Sequence, residues 1–176
     1  MTKNKKIIAA AVSVFIIAIV ILGIFLMKPN KSSLAKLELE NLVSSIRNSY
    51  KNSPGYWGLD TKYVINNGLA RDAADGKIVN IYGKTTLAGY DFAATTLMPG
   101  SKTFDIIYEG LTKEECISLS SIELSDEQKL SLISVFIKSG DIVSEFGWGE
   151  ENKLPISVNI AKRFCKNNND ILWRFE

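Results

Sequence analysis

Few residues in this 176-residue chain are equipped for chemistry. It has no histidine, so neither a Ser-His-Asp triad nor a Cys-His nucleophile can be built. A Ser-Lys peptidase needs only residue types that are abundant here, but no spacing marks one serine and lysine as a pair. The two cysteines, Cys116 and Cys165, are too few and too far apart for a zinc site. Glu114-Glu115 and Glu150-Glu151 set carboxylates side by side, as calcium binding or acid-base work would want. Neither has the spacing of a calcium loop, and both read as solvated faces. Gly147-Trp148-Gly149 lacks the Lys-Ser/Thr of a phosphate loop and reads as a turn. Trp57, Trp148 and Trp173 can stack on a sugar or fill a core; core packing is expected of Trp57 and Trp173, and Trp148 between its glycines suits either. No cofactor or metal is implied, and the chain is not expected to be an enzyme.

The element that positions everything else is Ile7 to Met27, about 21 residues without a charge, which reads as a membrane-spanning helix because roughly 20 apolar residues cross a bilayer core. The apolar run is too long for a secretory signal peptide and is followed by Leu26-Met27-Lys28-Pro29 instead of a small-x-small cleavage site. An uncleaved anchor is therefore expected, over residues 1–28 with the short leader. Lys3, Lys5 and Lys6 precede it and place that end in the cytoplasm by the positive-inside rule, although Lys28 and Lys31 weaken the bias. The formal net charge is +2, and four lysines with no acid occupy the first 28 residues, so the remainder carries −2. That leaves no basic face for nucleic acid.

Residues 29–176 match one ordinary domain in length, facing the periplasm or the exterior. In that oxidising setting an even pair of cysteines favours a Cys116–Cys165 disulfide over two buried thiols. Closing a loop of about 50 residues would contribute roughly 4 kcal/mol in the chain-entropy model. Ala35, Leu39, Leu42, Val43, Ile46 and Tyr50 recur at helical spacing and predict an amphipathic helix over 34–50, stopped by Pro54-Gly55. This stripe is read as an assembly face that also packs on the domain. Asp60 can cap a short helix, Thr61 to Asn67, ended by Gly68. Lys77–Tyr82 and Thr103–Tyr108 read as strands, and Thr112 opens a helix carrying Cys116. Ser125 with Gln128 makes a capping-box pattern that predicts a helix to Gly140, with Leu130, Ile133, Phe136 and Ile137 facing its core. A last helix, about Ser157 to Lys166, carries Cys165, followed by a turn at Asn167–Asp170 and a strand over Ile171–Phe175.

Three segments carry a resemblance. Tyr56 to Gly68 (YWGLDTKYVINNG), Cys116-Ile117-Ser118-Leu119, and Ala161 to Phe175 with Cys165, an Asn-rich turn and Ile171-Leu172-Trp173-Arg174-Phe175 together resemble type IVb pilins, the subunits of thin pili of conjugative plasmids and enteric pathogens. The resemblance implies an α+β fold: a long N-terminal helix, transmembrane in its first half and amphipathic in its second, packed on an antiparallel sheet with one disulfide. It implies a structural subunit, major or minor, of a surface fibre, whose partners are other pilin subunits, the assembly machinery and the inner membrane. The N-terminus departs from the pattern. Lys5-Lys6 stands where the family has the glycine preceding the peptidase cut, and no acid lies before Glu38, so the glutamate of the hydrophobic segment is absent. Cleavage is therefore expected to fail. The alternative role is an uncleaved, inner-membrane accessory protein of a secretion or conjugation system, with the Ser-Lys peptidase a distant third.

Overall fold

The computed structural model describes residues 30–71, 73–90, 102–149 and 152–176. The leader and membrane helix expected over 1–28, and the Glu150-Glu151 pair, lie outside these residues. Among the described residues no helix is long and apolar enough to cross a membrane. Residues 31–176 fold around one core.

In chain order the elements are α1 (Lys31–Tyr50), α2 (Thr61–Asn66), β1 (Ala73–Ala74), β2 (Lys77–Val79), β3 (Thr85–Gly89), β4 (Phe104–Leu111), α3 (Lys113–Ser120), α4 (Asp126–Ser131), β5 (Leu132–Ser139), β6 (Ile142–Gly147), α5 (Val158–Phe164) and β7 (Asn169–Phe175). The strands form one antiparallel sheet in the order β1-β2-β3-β4-β7-β5-β6. The C-terminal strand thus lies between β4 and β5, joining two hairpin systems that are separate in sequence. Register aligns whole rows of side chains on the covered face. Phe146, Val135, Trp173, Ile106 and Ala88 make one row; Ser144, Ile137, Ile171, Tyr108 and Thr86 make the next. Period-two alternation then turns Asp105, Ile107, Leu172, Arg174, Phe136 and Lys138 to the other face.

The helix starts are chemically specified. Asp60 caps α2 by accepting from Tyr63 N at 2.6 Å, and Gly68 beyond its end takes φ +64°, where a side chain would be strained. Thr112 and Glu115 form a reciprocal capping box on α3. Gly110, at φ +67°, sits where the β4–β7 register shifts between Tyr108 and Leu111, a bulge that its missing Cβ allows.

Two expectations are corrected. The helix predicted from Ser125 to Gly140 is only six residues of α4, after which the chain becomes central strand β5. Ser125 makes no side-chain cap bond, and Leu130 is 90% exposed, so the expected stripe does not form as a helical face. Of its residues Ile137 is buried as expected, but it is joined by Val135 at strand spacing, because residues 132–139 are rich in β-branched side chains and fill the gap beside β7. Trp57, expected in the core, is 63% exposed and touches only the edge of Tyr90 among described rings. Trp173 is core, set edge-on to Tyr108 at 5.1 Å between centroids.

Candidate assembly surface

Helix α1 carries the apolar stripe expected to serve as an assembly face. Its stripe is spent inward: Ala35, Leu39, Leu42, Val43 and Ile46 are buried in the domain's own core. At roughly 1.5–3 kcal/mol for each large aliphatic buried, these residues hold the helix to the sheet. Tyr50, half-buried, stacks at a tilt on Tyr56 and Tyr63 with centroids 5.4 and 5.3 Å away. The stripe expected as an assembly face is thus packed within its own domain, Tyr50 alone among its residues keeping part of its surface exposed.

Polar groups on the flanks of α1 are committed to the same domain. Glu38 accepts from Ile81 N at 2.9 Å, tying the helix to the turn after β2. Glu40 accepts from Ser125 N at 2.6 Å, and Gln128 donates to Ser44 Oγ at 2.9 Å. These two bonds replace the capping box expected between Ser125 and Gln128. Outward on one side of the helix runs a ridge at Ser33, Leu37, Asn41, Ser44 and Asn48, positions one turn apart, with Lys31 and Ser49 also exposed and Lys36 partly so. The ridge itself carries no charge. Beside it lies a groove between α1 and the α2–β2 segment, lined by Leu34, Leu37, Asn41, Leu69, Ile78 and Ile81.

The cysteines expected to pair do so: Cys116 on α3 and Cys165 at the end of α5 form a disulfide, both buried. It staples α3 to α5 below the sheet. Next to it, Asn169 opens β7, and its importance was not evident from sequence. Its Nδ2 donates to Leu111 O at 3.1 Å and Lys166 O at 2.8 Å, and its Oδ1 accepts from Lys166 N at 2.7 Å. Ser139 Oγ lies 2.6 Å from that Oδ1. One buried amide thus joins β4, β5, β7 and the end of α5. The signal available in sequence was an Asn-rich turn just after a cysteine. On the opposite face Arg174 donates from Nε to Asp105 Oδ1 at 2.9 Å and from Nη2 to Oδ2 at 3.0 Å, a two-pronged pair across adjacent strands.

Several tyrosines pack in this region. Burial, with the Tyr63 ring behind it, pushes Tyr50 up to about 12. Burial also raises Tyr56 and Tyr82, and burial followed by the Glu38 charge holds Tyr108 well above the ordinary phenol range. Neutral phenols at every physiological pH are packing elements. Among the described residues no cluster of three or more His, Cys, Asp or Glu is placed to hold a metal ion.

Trp148 is half-exposed, and its indole N–H donates to Leu132 O at 2.7 Å. That bond fixes a ring whose apolar face is wet. Gly147-Trp148-Gly149 ends β6 as a turn.

Comparison with protein-family models and with curated proteins finds no match. The fold is similar to that of TcpA, a type IV pilin from Vibrio cholerae El Tor biotype, at a TM-score of 0.59 and 13% identity over 83% of this chain and 99% of that one. It is also similar to the type IVb pilin from Salmonella typhi, at a TM-score of 0.51 and 16% identity over 79% of this chain and 95% of that one. The fold is thus type IVb pilin-like.

Proposed function

We propose that the chain is a structural subunit of a type IV pilus-like surface fibre, major or minor, which acts by assembly and performs no catalysis. The observation that carries this reading is the commitment of α1. Its apolar stripe and its acidic flanks are bound to its own domain, and the ridge of Ser33, Leu37, Asn41, Ser44 and Asn48 is an uncharged rail along one side of it. A neutral ridge packs on another helix without desolvating charge. Ile7 to Met27 continues the chain upstream and supplies a hydrophobic segment that holds the subunit in the inner membrane with its domain in the periplasm. Ala9, Ser13 and Ala18 allow close helix approach there. Partners are other pilin subunits and the machinery that assembles them.

Fractionation of cells making the chain tests this. A fibre subunit is recovered in material sheared from the surface; recovery in the inner membrane alone refutes the proposal. A second reading, an uncleaved membrane-anchored accessory protein of a secretion or conjugation system, is favoured by one observation: Lys5-Lys6 and the lack of any acid before Glu38. Intact mass separates the two. A product retaining Met1 or Thr2 and confined to the membrane supports the accessory role, and one starting near Ile7 supports ordinary processing into a fibre.

A further inference from the structure

Strand β6 ends the sheet, and between its turn and Gly147 its outer edge is protected by one charge, Glu145. It is six residues long without proline or lysine, whereas the opposite edge, β1, has two residues. Ile142 and Val143 are 69% and 59% exposed. Gly147 fixes which backbone groups of β6 point outward. Its N–H donates to Asn152 O and its C=O accepts from Leu154 N, both at 2.9 Å. Backbone direction alternates with period two in an antiparallel ladder, so Val143 and Glu145 also turn their N–H and C=O away from β5. Among the described residues no strand pairs with them.

We propose that β6 is a homodimerisation edge, at which two copies of this chain pair β6 to β6, antiparallel, about a twofold axis through Ser144. A twofold perpendicular to the sheet keeps each face continuous and sets residues of like parity opposite one another. Three registers bring outward backbone groups together. Centring on Val143 sets Asp141 opposite Glu145. Centring on Glu145 sets two glutamates opposite each other. Centring on Ser144 sets Val143 of each copy opposite Glu145 of the other, and each such pair exchanges two backbone hydrogen bonds. No like charges face each other in this register, and exposed Ile142 lies opposite Phe146 on the covered face. At the ends Asp141 approaches the Gly147–Lys153 bridge, where the Gly147 groups stay bonded to Asn152 and Leu154, so the ladder between copies consists of the two Val143–Glu145 pairs. This pairing does not depend on the fibre reading, since it uses the backbone of β6 and no residue of the α1 ridge.

The test uses the full chain in detergent under mild oxidation. At the axis, Ser144 of each copy forms a non-hydrogen-bonded pair with Cα atoms about 4.5 Å apart, within the ~4.4–6.8 Å span of a disulfide. Ser144→Cys is expected to give a reducible dimer. Glu145→Cys is not, because its own copy stands two residues off register, beyond the ~7 Å limit. Adding Glu145→Pro to the Ser144→Cys chain removes an outward N–H that β5 does not use. It is expected to leave the melting temperature in place while lowering dimer yield about tenfold, as loss of two symmetry-related bonds implies. A Ser144→Cys chain that stays monomeric overturns the proposal. So does a Glu145→Cys chain that links as readily, or a dimer yield that Glu145→Pro does not change, since either outcome means random collision or a different partner surface.

Discussion

Replacing Asn169 by alanine tests whether one buried amide holds the C-terminal strand in the middle of the sheet. Three bonds are lost outright: to Leu111 O, to Lys166 O and from Lys166 N. Ser139 Oγ has one proton and can turn it fully to Phe164 O, 2.9 Å away, so that contact adds little. Lys166 is exposed, and water can reach its two groups, which sets their loss at about 0.5–1.5 kcal/mol each. The Leu111 carbonyl is buried and has no such recourse, at a cost of about 1–3 kcal/mol. The total is about 2–6 kcal/mol, a large share of the ~5–15 kcal/mol that stabilises an ordinary domain. Asn169→Asp is expected to be worse, since a carboxylate oxygen would face two carbonyls where the amide donated. Equilibrium denaturation of the full chain in detergent, followed through the fluorescence of buried Trp173, measures the difference. A loss below about 1 kcal/mol for Asn169→Ala would show that the four-element junction contributes nothing beyond side-chain volume, and would refute this account of how β7 is fixed.

Leu42→Ala and Ile46→Ala are each expected to lower stability by about 2–5 kcal/mol through lost contacts and a residual cavity, with Leu42→Lys lower still; unchanged melting temperatures would mean that α1 is not docked on the sheet. Thiol labelling of the denatured, unreduced protein is expected to find no free cysteine, and replacing both Cys116 and Cys165 by serine is expected to cost about 2–5 kcal/mol. Alkaline titration supplies an independent check on the tyrosines. Tyr50 ionises near pH 12 in the fold and near 10 when unfolded, so its contribution is fully present below pH 10 and is lost as pH rises toward 12. Absorbance at the phenolate band is expected to show Tyr50, Tyr56, Tyr82 and Tyr108 titrating late, with unfolding in the same window, and ordinary titration of all four in an intact fold would contradict the packing described.

The sequence made α1, the caps of α2 and α3 and the terminal strand legible because each depends on local chemistry. Helical spacing placed Leu39, Leu42, Val43 and Ile46, and Asp60 and Thr112 announce their helices by the bonds their side chains make. It did not show where the stripe is used, since a face that packs on its own sheet and one that packs on a neighbour have the same periodicity. Residues 126–139 defeated pattern reading for a related reason. Ser125-x-x-Gln128 begins a helix, and the apolar positions that follow fit both a 3.6 and a 2.0 period, so the tertiary gap beside β7 decided the outcome. Strands β3 and β6 were missed because Thr85–Gly89 and Ile142–Gly147 are short and gain their stability from partners distant in sequence. Trp57 was misplaced because its size argued for a core and its position in a turn argued otherwise. The Asn169 junction depends on four elements meeting and has no local signature beyond the asparagines of its turn.

The central claim is that this chain assembles with pilin subunits through the outward ridge of α1. A photo-crosslinking side chain at Asn41, in the middle of that ridge, measures it most directly in cells that make the protein. The account predicts covalent adducts larger than the 19.5 kDa chain by the mass of one or more pilin subunits, with mass spectrometry finding the link on a neighbouring subunit. A chain that stays monomeric after irradiation at Asn41, while sheared material lacks it, would contradict the account.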